Sequence, residues 1–310
     1  MKTKDELLYR VLTDSTFLFD RNVPHLDKHF AFKRWLYAWQ RSNLPRLREM
    51  RPSVSKYAGE LTLVIYSFGG SDDVFDVHEF PILHTWRVLG MMPVSIVTDT
   101  PSDRVLGFQR KYSDYVSIKT TKGLVRGDVN SMCVDCMTDL YRYFETPYCL
   151  IIQDDGFPIQ DNLNLFLGRW DYIGAPSVRD AFRQHIADLL LRDCLNGGFS
   201  LRSRRYCLAV ARNWRAWGRW YSKVRGFGPE EDLLYSCVMR INPWLRMRYR
   251  LPGAKTARRF AFFDLLGGFD AATLKEKPFG LHGQSTIWQF RQVMRDFGYD
   301  LDSAFEDILR

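Results

Sequence analysis

The residues best suited to chemistry are three consecutive oxygen donors, Gln153, Asp154 and Asp155, which are followed by Gly156. They come directly after residues 148–152, an apolar run typical of a fully buried strand. Carboxylate and amide oxygens suit Mg²⁺ or Mn²⁺, which complete their coordination with water and substrate phosphates. The alternative interpretation is an acidic turn at the end of a core strand.

A second candidate is the block Asn196-Gly197-Gly198, which leads into an alternating segment that reaches Arg202. Two glycines at the start of a strand indicate a point where a ligand or another chain approaches the backbone closely. An ordinary turn into a strand explains the same pattern.

Three acids, Glu230, Glu231 and Asp232, follow Gly228-Pro229 and precede an apolar segment. This order predicts a helix start, where carboxylates complement the helix dipole. A carboxylate held in its ionised form there could also act as a general base.

One histidine, His282, lies in the glycine-flanked stretch 278–283. An isolated histidine is either a satisfied polar contact or a metal ligand. The pair Cys133 and Cys136 lies in a predicted helix with no second cysteine pair at zinc spacing, so we expect the cysteines to be reduced and metal-free.

The elements that must position these residues alternate along the chain. Predicted strands at 61–67, 93–98, 115–118 and 148–152 are separated by helical segments. This alternation predicts a mostly parallel sheet with helices on both faces and ligands at the carboxyl ends of its strands. The residues in this half that could bind such a ligand are called the donor-binding candidates, and they are Ser67, Gly69, Asp99, Arg126 and Asp154. Neither a dinucleotide-binding glycine fingerprint nor a P-loop is present in the sequence.

The composition allows a large core and indicates anionic partners. The chain has 310 residues, 46% of them hydrophobic and 15% aromatic, and a net charge of +8. Such a charge favours nucleic acid, an anionic membrane surface or a phosphate-bearing substrate. Because the sequence has no transmembrane run and no signal peptide, we expect a cytoplasmic protein.

Three segments combine basic and aromatic residues: a predicted N-terminal helical arm at 1–52, and the stretches 204–225 and 240–259. The arm could lie on an anionic bilayer or track a nucleic-acid backbone, or its aromatic residues could pack on the main domain. The two later stretches could bind polyanions, or could form solvated helix faces with buried tryptophans.

Five blocks occur together in order: Gln153-x-Asp155, residues 171–176, residues 196–202, Glu231-Asp232 and residues 279–282. Their order resembles a poorly characterised bacterial and viral family that is similar to the GT-A glycosyltransferases. The resemblance covers residues 60–285. It implies a GT-A-like α/β domain at 53–285, with a nucleotide-binding half at 53–156, an acceptor half at 157–285 and a helical tail at 286–310.

The resemblance also implies roles for individual residues. Asp155, Gln153 and His282 would hold Mn²⁺ or Mg²⁺ on a nucleotide-sugar donor, with Gln153 replacing the usual first aspartate. Asn196, Gly197 and Gly198 would line the donor. Asp232, or its neighbour Glu231, would be the base of an inverting enzyme.

The resemblance leaves the acceptor open: a saccharide, a lipid-linked glycan at the inner membrane face, or nucleic acid. Two alternatives remain beside a transferase of polysaccharide biosynthesis. One is a nucleic-acid-binding or DNA-glycosylating protein that uses the Arg- and Trp-rich segments. The other is an inactive GT-A scaffold that only binds a partner.

Overall fold

The computed structural model describes residues 6, 25–68, 72–125, 128–176, 194–225, 231–232, 234–236, 242–263 and 277–299. Their centre is a six-stranded sheet in the order β3-β2-β1-β4-β7-β6. Its strands are β1 (Leu61–Tyr66), β2 (Val94–Thr98), β3 (Val116–Thr120), β4 (Tyr148–Ile151), β6 (Tyr172–Pro176) and β7 (Leu195–Ser203). The predicted α/β class with a mostly parallel central sheet is confirmed.

The strand directions bring the predicted site segments to one edge of the sheet. Strands β1 to β4 are mutually parallel, whereas β7 runs antiparallel to its neighbours β4 and β6. The carboxyl ends of β1, β2 and β4 therefore lie at the same edge as the amino end of β7. Local sequence did not predict this reversal of β7.

Alternate residues of the central strands enter two cores, one on each face of the sheet. In β1, Leu63 and Ile65 pack into the larger core, while Val64 and Tyr66 pack into the second. Burial on both faces explains why β1 and β2 are mostly apolar at every position instead of alternating with exposed polar residues.

Helices cover both faces. The first core receives α1 (His25–Glu49), α2 (Asp72–Leu89), α3 (Asp103–Lys111), α7 (Ala254–Phe260), α8 (Gln284–Gln289) and α9 (Arg291–Asp296). The second receives α4 (Val129–Thr138) and α5 (Arg204–Arg225), and α6 (Pro243–Arg248) lies beside it. Short 3₁₀ turns occupy Leu140–Arg142 and Leu163–Leu165.

A small second sheet completes the frame of the site. Its order is β5-β9-β8, with β5 (Gly156–Pro158), β8 (Ala261–Phe262) and β9 (Gly280–His282). Strand β5 starts one residue after Asp155, and β9 pairs with it so that His282 lies opposite Gly156. This pairing brings the late histidine next to the acidic turn.

The aromatic side of α1 packs in the main core, as in the alternative in which the aromatic residues of the arm pack on the main domain. Phe32, Trp35 and Trp39 are buried, and Trp39 contacts Phe80 of α2 and Tyr299 with ring centroids 4.9 and 5.6 Å apart. The proposed domain boundaries stay predictions.

The basic segments are described in part. Arg205 forms an ion pair with Asp171 at 2.7 Å, and Trp214 packs against the second core. Trp244 on α6 is 77% exposed. Side chains 215–225 lie outside the described residues, and a nucleic-acid role stays a prediction.

Cys133 and Cys136 lie in α4 as predicted, and the five described cysteines are buried. None of the described helices is long and apolar enough to cross a membrane.

Candidate functional site

The acidic run forms a tight turn between β4 and β5. The Gly156 amide donates to the Gln153 carbonyl at 3.1 Å, and the Gln153 amide donates back to the Gly156 carbonyl at 3.3 Å. These two bonds close a hairpin whose loop is Asp154-Asp155. The turn therefore holds an amide and two carboxylates just beyond the carboxyl end of a buried strand.

The three predicted metal ligands converge at this turn. His282 Nε2 lies 3.2 Å from Gln153 Oε1 and 3.4 Å from Asp155 Oδ1. The Gln284 side-chain amide donates to Asp155 Oδ2 at 2.6 Å, and the Gly283 amide donates to the Asp155 carbonyl at 2.9 Å. One carboxylate oxygen is thus held by α8, while the other faces the imidazole.

The two neighbouring carboxylates have different electrostatic surroundings. Burial, and next the charge of Asp155, raise the pKa of Asp154 to about 6. Burial also acts to raise the pKa of Asp155, but the facing His282 and the hydrogen bonds outweigh it and hold this pKa below its usual value. Asp155 is therefore the carboxylate that stays ionised at lower pH.

The cluster is packed against the backbone of Gly198 in β7. A side-chain carbon at Gly198 would overlap Gln153 Oε1 and His282 Nε2 and would lie 2.6 Å from His282 Cε1. Only a residue without Cβ leaves room for these two donors. The groups that approach the backbone closely at Gly198 are therefore the side chains of Gln153 and His282.

The other glycine of the pair, Gly197, faces the ion pair between Arg202 and Glu231. A carbon there would overlap Glu231 Oε1 and lie 2.7 Å from Arg202 Nη2. Arg202 is fully buried, lies over the ring of Tyr235 at 4.3 Å and contacts Glu231 Oε1 at 3.4 Å. Glu231 therefore lies directly beside the donor block, while Asp232 is buried on the same helical segment.

A cavity of about 490 Å³ opens next to the acidic turn. Its floor includes Asp154 and Asp155, and one wall is a polar stripe of α1 formed by His29, Lys33, Tyr37 and Arg41. Further lining residues are Tyr66, Phe68, Val77, His78, Val129, Met132, Gln153 and Gln284. The volume suits a small-molecule ligand of ordinary size.

Tyr37 connects this stripe to the turn because its hydroxyl donates to Asp154 Oδ2. The side-chain amide of Gln40 donates to the Asp154 carbonyl. Asp154 thus anchors α1. Because these contacts occupy it, Asp154 is less available to a bound ligand than its prediction as a donor-binding residue assumes.

The remaining donor-binding candidates are only partly described. Ser67 follows β1 and its hydroxyl lies 2.9 Å from His78 Nδ1, at the cavity. Asp99 follows β2 but does not line the cavity, and the Asn196 side chain accepts from the Gly198 amide at 2.8 Å. Gly69 and Arg126 lie outside the described residues.

Two features of the site do not follow from the sequence alone. One is the stripe on α1, whose members recur every four residues; the other is Arg202 beneath Gly197. The four-residue period was readable in the sequence, but it does not show which part of the fold the stripe faces.

The three ligand groups fit a hard divalent cation, because an amide oxygen, a carboxylate and an imidazole converge. The absence of a side chain at Gly198 leaves the room in which the amide oxygen and the imidazole lie. The buried His282 Nδ1 has no hydrogen-bond partner among the described residues. Within that part of the chain, no three His, Cys, Asp or Glu side chains gather as a metal site. The cluster contains two such residues, and its third donor is an amide.

Comparison with known proteins yields one family and a remote structural likeness. No curated protein matches the sequence. Among solved structures, a mannosyltransferase from Pyrobaculum calidifontis in complex with GDP-Man and Mn²⁺ aligns at 11% identity and a TM-score of 0.33. The alignment covers 67% of this chain and 58% of the mannosyltransferase, and a likeness this weak transfers no activity.

The region that matches a known family contains the acidic turn, the glycine pair, Glu231, Asp232 and His282. Residues 120–282, more than half of the chain, match the family described as protein of unknown function DUF5672, and the chain therefore belongs to that family.

Proposed function

We propose that this protein is a divalent-metal-dependent glycosyltransferase that moves a sugar from a nucleotide-sugar donor to an acceptor hydroxyl. The observation that carries the proposal is the convergence of Gln153, Asp155 and His282 beside a cavity with a basic wall. The ordered resemblance to GT-A enzymes supports the same activity. The acceptor proposed is a saccharide or a lipid-linked glycan in the cytoplasm, and the net charge of +8 supports contact with an anionic membrane face.

Asp155 Oδ1, Gln153 Oε1 and His282 Nε2 would hold Mn²⁺ or Mg²⁺. The bound cation would neutralise the negative charge that develops on a departing nucleoside diphosphate. Asp155 supplies the ionised donor because its pKa is held low, and Gln284 fixes its orientation. Gly198 leaves the room in which Gln153 Oε1 and His282 Nε2 lie.

The chemical step needs a base on the acceptor side. Asp232 would accept the proton of the acceptor hydroxyl while the acceptor oxygen forms a bond to the anomeric carbon. The bond from that carbon to the diphosphate oxygen breaks, and the electron pair leaves with the nucleoside diphosphate. Attack from the opposite face of the sugar inverts the anomeric centre.

Glu231 is the rival base because its carboxylate lies against Gly197. Its contacts with Arg202 and with Cys133, whose thiol lies 3.3 Å from Glu231 Oε2, favour a positioning role. Asp232→Asn should retain donor affinity and lose about 10²-fold or more in transfer rate. Full activity of this variant, with Glu231→Gln inactive, would assign the base to Glu231.

The metal site is tested by Mn²⁺ titration of the full chain, together with hydrolysis of a panel of UDP-, GDP-, CMP- and dTDP-sugars. Asp155→Ala should abolish both Mn²⁺ binding and metal-dependent donor binding. Gln153→Asp should keep or strengthen Mn²⁺ binding because it adds a carboxylate. Unchanged Mn²⁺ dependence in Asp155→Ala would refute the site.

A further inference from the structure

Helix α1 carries a polar stripe in addition to its buried aromatic side. His29, Lys33, Tyr37 and Arg41 are each four residues apart, close to one helical turn, and all four line the cavity. The helix buries Phe32, Trp35 and Trp39 on its other side. The stripe is therefore a built wall of the cavity and is carried by a packed helix.

The position of the stripe relative to the acidic turn is fixed by two hydrogen bonds. Tyr37 donates to the Asp154 carboxylate and Gln40 to the Asp154 carbonyl. Lys33 Nζ lies 5.4 Å from the centroid of the Tyr37 ring. Lys33 therefore lies in the same cavity as Asp155.

The charge of Lys33 is felt inside the cavity. Burial, and next the charge of Lys33, lower the pKa of His78 to about 4, and His78 lies on the α2 side of the same cavity. A low pKa keeps His78 neutral at pH 7, so His78 adds no positive charge to the cavity.

The cavity is thus lined both by the carboxylates of Asp154 and Asp155 and by the cationic side chains of Lys33 and Arg41. An anion that also binds a cation fits between them, because charges then alternate from Asp155 to cation to anion to Lys33 and Arg41. Diphosphates have this property, since their oxygens bind both divalent metals and basic side chains.

We infer that Lys33 and Arg41 form a diphosphate-binding wall, so that α1 supplies the second half of the donor site. The inference rests on the proposed function for the identity of the anion as the diphosphate of a nucleotide sugar. It goes further by assigning donor affinity to a helix outside the matched family region 120–282.

The test measures the affinity of inorganic pyrophosphate for the full chain by calorimetry, with and without Mn²⁺, and the affinity of Mn²⁺ alone. The variants are Lys33→Gln, Arg41→Gln and the charge-preserving Lys33→Arg. The control is Arg34→Gln, which removes a cation from the same helix at a position that does not line the cavity. Thermal unfolding of each variant checks that α1 stays packed.

Lys33→Gln and Arg41→Gln should each weaken pyrophosphate binding about tenfold or more, the effect expected for a lost charge-assisted contact. Lys33→Arg should keep most of the affinity, and Arg34→Gln all of it. Mn²⁺ affinity should not fall in any of these variants, because neither Lys33 nor Arg41 is among the three proposed cation ligands.

Pyrophosphate affinity within twofold of wild type in both glutamine variants would overturn the inference, and so would a wild-type chain that does not bind pyrophosphate. Failure of the proposed function has a different signature, namely no Asp155-dependent Mn²⁺ binding. In that case the metal-free titrations still decide whether Lys33 and Arg41 bind the anion.

Discussion

The space around Gly198 allows a demanding test of the site with the smallest side-chain addition. Gly198→Ala places a methyl group where Gln153 Oε1 and His282 Nε2 lie, and 2.6 Å from His282 Cε1. Real Cβ atoms do not occupy such positions, so one of the donors or the β7 backbone must move.

The surroundings determine which group moves. The His282 ring stacks on Phe263, with centroids 4.9 Å apart and planes 25° apart, and Gly156 packs on its Cδ2 side. Because the ring is held on these sides, we expect Gln153 to swing away. Overpacking of this kind costs about 1–3 kcal/mol of stability. The displaced donors should weaken Mn²⁺ binding about 10–100-fold, the range for variants that misplace metal ligands.

The assay combines denaturant unfolding with Mn²⁺ titration on wild type, Gly198→Ala and Gly59→Ala. Gly59 is the matched control because its added methyl group would meet no atom within 4 Å. Gly59→Ala should therefore match wild type in Mn²⁺ affinity. If Gly198→Ala also binds Mn²⁺ with wild-type affinity, Gln153 and His282 do not act together as ligands.

Three further predictions concern buried polar groups that are not among the three proposed metal ligands. Arg202→Met should destabilise the fold by about 3–5 kcal/mol in denaturant unfolding, because it leaves Glu231 without its buried partner, and adding Glu231→Gln should restore part of the loss. Burial lowers the pKa of His84 from 6.5 to about 3. As pH decreases from 6.5 to about 3, the His84 imidazole is protonated in the unfolded chain before it is protonated in the folded chain, so the free energy of unfolding should fall by at most ~1.4 kcal/mol per pH unit. In His84→Phe the free energy of unfolding should fall less steeply over the same pH range. Asp171→Asn should cost on the order of 1–3 kcal/mol, measured at pH 7, because the buried carboxylate accepts two 2.7 Å hydrogen bonds from Arg205.

The fold was largely predictable because its strands carry strong local signals. Strands β1, β2 and β4 are short and mostly apolar, β3 alternates apolar and polar residues at its start, and alternation with helices predicted the parallel order. The antiparallel insertion of β7 between β4 and β6 was not predictable in the same way. Register between strands depends on long-range pairing, such as Ile151 with Ser200, which no local pattern encodes.

The candidate site was predictable only in part. Chemistry at the end of β4 followed from residue types, but the meeting of His282 with Gln153, 129 positions earlier, came from the resemblance alone. The contribution of α1 was missed because a segment ahead of the first strand looks like a separate arm. Its aromatic face did indicate packing, yet only the tertiary structure shows that Tyr37 reaches Asp154.

The division of the site between two parts of the chain has a consequence for its energetics. The cation ligands, the glycine pair and both helix acids lie within residues 120–282, whereas Lys33, Tyr37 and Arg41 lie on α1. These parts meet at Asp154, whose burial and neighbouring Asp155 already raise its pKa. Loss of the Tyr37 contact would remove one of the hydrogen bonds that join α1 to Asp154, while Gln40 keeps the other, and would not remove any of the three ligands. Anion affinity should therefore depend on how α1 is docked, while cation affinity should depend on the turn, and the two can be separated by substitution.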